Sequence, residues 1–252
     1  MAGEQQSWYE MQRQRDEEAL VLSESVWGAE KEVFSNSMGI VSRFLDSILE
    51  PGTINDLVVK SKLAIATHAF NLLWSSWNEA SVGRYGAATD HWRSIEESPH
   101  FLKALQINPA LAQDLRLNRM DKNTAVKTIR KALNAEKPGA GQDFLQSLDY
   151  HKELQRFSHV TQVSTQATLP IYVDAEGARV LVKPGGGVIS EESLRQVGVY
   201  LAEAAMNLAS STAFAFQEVE DVSRLWESEG RSLIEEGRPA LDAVAKELGL
   251  EV

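Results

Sequence analysis

The chain has 252 residues, 43% of them apolar and 24% charged, which is ample for a buried core and too apolar for a disordered chain. It has no cysteine, so disulfides, thiolate catalysis and cysteine-ligated zinc or iron–sulfur centres are excluded. Its net charge of −11 argues against a general nucleic-acid binder, and no stretch is long and apolar enough to read as a membrane span.

The charge is unevenly placed. Residues 1–50 carry −6 and residues 190–252 carry −8, whereas residues 51–140 carry +4. The N-terminus, MAGEQQSWYEMQRQRDEEAL, lacks an apolar core of the kind a secretory signal needs, so a cytoplasmic location is expected.

In chain order, Trp27, Phe34, Val41 and Ile48 recur every seven residues, and this stripe predicts one long helix ended by Pro51-Gly52. Thr53 is placed to cap the next helix, which carries two apolar series, Val58/Ile65/Leu72 and Leu63/Phe70/Trp77. Apolarity on more than one face predicts a central position in a bundle. After Gly83 a helix is expected over 84–97, with Pro99 opening a fresh turn. Residues 103–137 hold eight basic and three acidic side chains and read as an insert of short helices, one capped by Asp121 or Asn123.

A helix is expected over 142–164. The period then changes: two β-branched runs around Asp174-Ala175-Glu176-Gly177 predict a hairpin near 169–183, bracketed by Pro170 and Pro184. Ser190 opens the last major helix, with Ala205, Ala209 and Ala213 spaced for close helix approach, and a short helix from Arg238 or Pro239 closes the chain. The expected fold is a single all-α domain over 1–252: an antiparallel helical bundle with a short β-hairpin insertion.

Chemistry-bearing patterns are sparse. Lys183 to Val188 is glycine-rich but lacks the Lys-Ser/Thr that a phosphate loop needs. Glu97 and His100 have the spacing of a di-iron ligand pair, but Pro99 lies between them, and His151 and His159 share a helix face without a further ligand. No metal or cofactor is expected. The most suggestive polar pattern is a seam. Asn71 and Asn78 are expected to face Arg93 and Glu97 across a helix hairpin, partly buried, with Trp74, Trp77 and Trp92 as apolar walls.

The segments GRYGAATDHWRSIEES (83–98) and ELQRFSHVTQVS (153–164) resemble a loose class of bacterial helical-bundle proteins similar to the HEPN superfamily. That family's ribonuclease motif is an Arg and a His separated by four to six intervening residues, matched here by Arg84 with His91 and by Arg93 with His100. The resemblance implies a helical bundle; the superfamily includes RNases of toxin and anti-phage systems alongside non-catalytic members, and the catalytic alternative is a metal-independent ribonuclease of a bacterial defence or toxin system. Its His would act as general acid/base and its Arg would stabilise phosphate charge, with the basic 103–137 segment steering RNA. The residues themselves carry no specific catalytic motif. They point to a non-catalytic helical interaction or regulatory module acting through a protein partner or self-association, such as a dimer, with the Ala205/Ala209/Ala213 ridge open either to such a contact or to internal packing. No DNA or membrane partner is expected.

Overall fold

The computed structural model describes residues 7–49, 56–144, 172–173, 180–181 and 191–250. Helix α1 (Trp8–Val26) begins at a capping box, in which the Ser7 side chain accepts from the Glu10 N–H while Glu10 accepts from the Ser7 N–H. The helix expected to run unbroken to Pro51 is in fact two helices. Gly28, at φ −112° and ψ −106°, turns the chain between α1 and α2 (Ala29–Ile48), although the seven-residue stripe continues across the break. Helix α3 (Leu57–Ser81) is capped by Asp56, which accepts from the Val58 N–H at 2.7 Å; Thr53 lies outside the described residues.

The helix expected over 84–97 is likewise two, α4 (Tyr85–Asp90) and α5 (Trp92–Ile107), with His91 at the joint. Pro99 does not open a new turn but sits buried inside α5. It forfeits one backbone bond, and the apolar face formed with Ile95, Leu102 and Leu105 offsets that loss. Helices α6 (Leu111–Arg116) and α7 (Lys122–Glu136) follow, α7 capped by Asp121 accepting from the Thr124 N–H at 2.8 Å. Leu105, Leu111, Met120, Ala125 and Ile129 form a small separate core that fixes this pair to α5.

The β-hairpin insertion expected over 169–183 is a correction to make. After α7, extended pairing among the described residues is limited to two residues a side, β1 (Tyr172–Val173) against β2 (Val180–Leu181). That is shorter than an ordinary strand, and an isolated pair is not a stable unit. The other described elements are helical, and the fold is an all-α bundle. Of the helix expected over 142–164, all beyond residue 144 lies outside the described residues.

Helix α8 (Glu191–Ala215) is the axis of the bundle and packs against α2, α3 and α5. Its Ala205, Ala209 and Ala213 are buried in the main core, so the small-residue ridge serves internal packing and offers no free dimer face. Trp77 stacks on Phe34 (ring centroids 4.1 Å apart, 13° between planes) and meets Trp27 at 4.1 Å. The buried Lys62 closes the end of α8: its ammonium donates to the Ala215 carbonyl at 2.6 Å and to Gln106, and lies 5.4 Å from the Phe216 ring. Burial lowers the Lys62 pKa, opposed by the nearby Glu218 carboxylate.

After a turn at 216–219, the chain returns as a continuous helix from Glu220 to Glu247: α9 (Glu220–Leu225), two π-helical stretches (Trp226–Gly230 and Leu233–Gly237) and α10 (Arg238–Glu247). The expected break before Arg238 is absent. Among the described residues no helix is long and apolar enough to cross a membrane.

Candidate functional site

The return helix lies against α2, and its two π stretches set the shape of the space between them. A π turn carries one residue more than an α turn, which widens the helix and is frequent at working sites. Here the Arg231 N–H reaches back five residues to the Trp226 carbonyl. Both stretches end in glycine, each for a packing reason. A Cβ on Gly230 would lie 2.1 Å from Cε3 of the Trp226 ring, and one on Gly237 would lie 3.3 Å from Val33 Cγ2.

Between the two helices runs an open groove of about 590 Å³. Val33, Ile40 and Leu233 supply its apolar lining, and Ser35, Asn36, Ser228 and Ser232 its neutral polar groups. Gly39 stands on the wall with open space where its Cβ would be. Arg43 spans the two walls, donating Nη1 to Glu229 Oε1 at 2.7 Å and Nη2 to Glu229 Oε2 at 2.6 Å. Its hydrogen bonds hold the Glu229 carboxyl below the ordinary range, and the same bonds raise the Arg43 pKa. Both side chains are about half exposed, so the clamp orients the walls more than it stabilises the fold. Glu32 and Glu236 also line the groove, and neither has an ion pair within the described residues, so the site is net negative.

A buried charge stands at the start of α2, on the side facing α8. Glu30 is 1% exposed; its Oε1 accepts from Arg195 Nε at 3.2 Å and its Oε2 from the Gly28 N–H at 3.3 Å. Arg195 also reaches Glu247 at 3.1 Å, so one guanidinium ties together the start of α2, the start of α8 and the end of α10.

The residues singled out from the sequence lie elsewhere. Arg84 caps the start of α4 and is held by Asp16 and by Glu79, the latter at 3.2 Å. His91 is half-buried at the α4–α5 joint. Arg93 is exposed and pairs with Glu97 of its own helix at 2.9 Å, whereas His100 is buried, its ring edge-on to Phe144 at 5.9 Å. Arg93 and His100 stand seven residues apart on α5, about 10 Å along the axis.

The polar seam does not form. Asn71 and Asn78 are exposed, and neither hydrogen-bonds to Arg93 or Glu97. The reason is helical phase: Ala66, Ala69, Leu73, Ser76, Trp77 and Ala80 make the inner face of α3, which turns both asparagines outward. Trp77 and Trp92 are core residues, and Trp74 is exposed.

On α5 the acidic residue turned inward is Glu96, which shares a face with His100 and Lys103 at i, i+4 and i+7. Burial lowers the Lys103 pKa. Among the described residues no group of three His, Asp or Glu is placed to hold a metal ion.

No protein-family model matches the chain, and no curated protein or solved structure is similar to it.

Proposed function

We propose that the chain is a non-catalytic helical interaction module whose working surface is the groove between α2 and the return helix. One observation carries this reading: an open groove of about 590 Å³ between α2 and the π-helical part of the return helix, with an ion pair bridging its walls. Its lining sets apolar, polar and acidic groups side by side beside π-helical turns, which are frequent at functional sites.

The catalytic alternative has weaker support. A metal-independent ribonuclease needs Arg and His converging on one phosphate. Arg84 is already neutralised by two carboxylates, while Arg93 faces solvent and His100 is buried.

The test joins two readouts. The purified wild type should leave single-stranded RNA intact over hours. In extracts of its own cells it should elute above the 27.9 kDa of one chain. Gly39→Trp, which fills the groove from a position with open space, should elute as the single chain while keeping its helical circular dichroism. RNA cleavage that His91→Ala or His100→Ala abolishes would overturn the reading, as would a native mass indifferent to Gly39→Trp.

A further inference from the structure

Resting on that reading, we propose that the protein bound in the groove is a second copy of this chain, presenting its basic α6–α7 edge. The two surfaces are complementary in charge. The groove carries Glu32, Glu229 and Glu236 against the single Arg43. Residues 111–137 carry seven basic and three acidic side chains. Of these, Arg116, Arg119, Lys127, Lys131 and Lys137 are exposed, and none forms an ion pair within the described residues. Five unpaired cations on a protein of net charge −11 form a local field opposite in sign to the rest of the surface.

The two surfaces lie on opposite edges of the bundle. The return helix packs on α2 and α8; α7 packs on α5, and α5 packs on α3 and α8. The core therefore stands between the groove and the protomer's own α7, so the match is made only between molecules.

Dimensions agree as well. The groove-lining stretch of α2 from Ala29 to Arg43 rises about 21 Å, and the fifteen residues of α7 rise about 22 Å. About 590 Å³ is too little for a whole helix but accommodates long side chains projecting from one. Lys127 and Lys131 stand one turn apart on the exposed face of α7, opposite the buried Ala125 and Ile129. Their methylene stems fit the Val33, Ile40 and Leu233 lining while the ammonium groups meet Glu32 and Glu236. Such contact is head-to-tail, one edge of a molecule against the opposite edge of the next, and it builds rings or filaments rather than a two-fold dimer.

Light scattering on purified protein tests this with two blocked variants. Gly39→Trp removes the groove and leaves the basic edge; Lys127→Glu with Lys131→Glu removes the edge and leaves the groove. All these positions are exposed, so the fold is spared. At about 50 mM salt the wild type should show a mass that rises with concentration to at least about twice that of one chain, and falls back to the single chain at about 0.5 M salt. Each variant alone should remain at 27.9 kDa. Mixed in equal amounts, the two variants can make one contact and no more, and should give a 1:1 complex that does not grow.

A wild type that stays single at low salt, a variant that assembles as the wild type does, or a mixture that stays single would each overturn the proposal. So would an added oligoribonucleotide that binds the wild type through Lys127 and Lys131 while the protein remains single, since the basic edge would then belong to RNA. If the purified chain is single but its native mass in extracts still depends on Gly39, the self-contact fails and the interaction-module reading stands. If neither depends on Gly39, both fail.

Discussion

Replacing Arg195 with alanine should lower the unfolding free energy by about 3–5 kcal/mol, the cost of stranding a buried charge. Glu30 is 1% exposed and cannot reach water by a change of rotamer, because the close approach of α8 covers it. That approach is tight: a Cβ on Gly198 would lie 2.8 Å from the Trp27 indole nitrogen and 3.3 Å from Glu30 Cβ. The Trp27 indole N–H in turn donates to the Leu194 carbonyl at 3.3 Å.

Without Arg195, Glu30 keeps one described donor, the Gly28 N–H. For a chain of this length the loss corresponds to about 10 °C in melting temperature. Glu247→Ala should cost only about 0.5 kcal/mol, because that carboxylate is 65% exposed. Replacing Glu30 and Arg195 together by methionine should recover most of the stability, since two apolar chains leave no buried charge. Urea titrations of the three variants measure all of this. A loss below about 1 kcal/mol for Arg195→Ala would mean that Glu30 is not buried as described.

Two glycine-to-alanine changes should shift stability in opposite directions. In an ordinary helix interior, alanine is better than glycine by about 1 kcal/mol. Gly39→Ala should show that gain, because its Cβ enters open space. Gly230→Ala should lose about 1–3 kcal/mol instead, as overpacking does, because its Cβ would fall within the Trp226 ring's contact distance at 2.1 Å. The Trp226 ring would have to leave its place against the main core, and tryptophan fluorescence should report that move. If Gly230→Ala stabilises like Gly39→Ala, the π stretch over Trp226–Gly230 does not hold Trp226 as described.

The sequence carried the helical class, the cap at Asp121 and the stripe Trp27–Phe34–Val41–Ile48 that builds the α2 face of the core. It did not carry the break at Gly28, because a seven-residue spacing continues through a turn when both flanking helices bury the same side. Gly230 and Gly237 resemble helix terminators to any local reading, and Pro239 resembles a helix start. Only the packing of Trp226, Val33 and Met206 around those glycines shows that the helix runs on with π turns.

The seam of Asn71, Asn78, Arg93 and Glu97 failed on phase. Alpha-helix α3 has apolar residues on two faces, so its inward direction was ambiguous until Ala66, Ala69 and Leu73 fixed it. The groove's defining ion pair had no local sequence signal, since it joins residues 186 positions apart. The exposed glycine of α2 was the one local hint, a residue of poor helix propensity with no turn to serve.

The groove's role as a protein-binding surface has one most direct measurement. The chain has no native cysteine, so Asn36→Cys places a single thiol on the groove wall, open to a short photoactivatable cross-linker. Irradiation should join this label to protein, with adducts mapping to residues 111–137 of another copy, and added Gly39→Trp in the same chain should abolish them. The same label in place of the exposed Asn71, on α3 and outside the groove lining, should give none. Absence of any protein adduct from position 36, or equal adducts from both positions, would contradict the groove as the working surface.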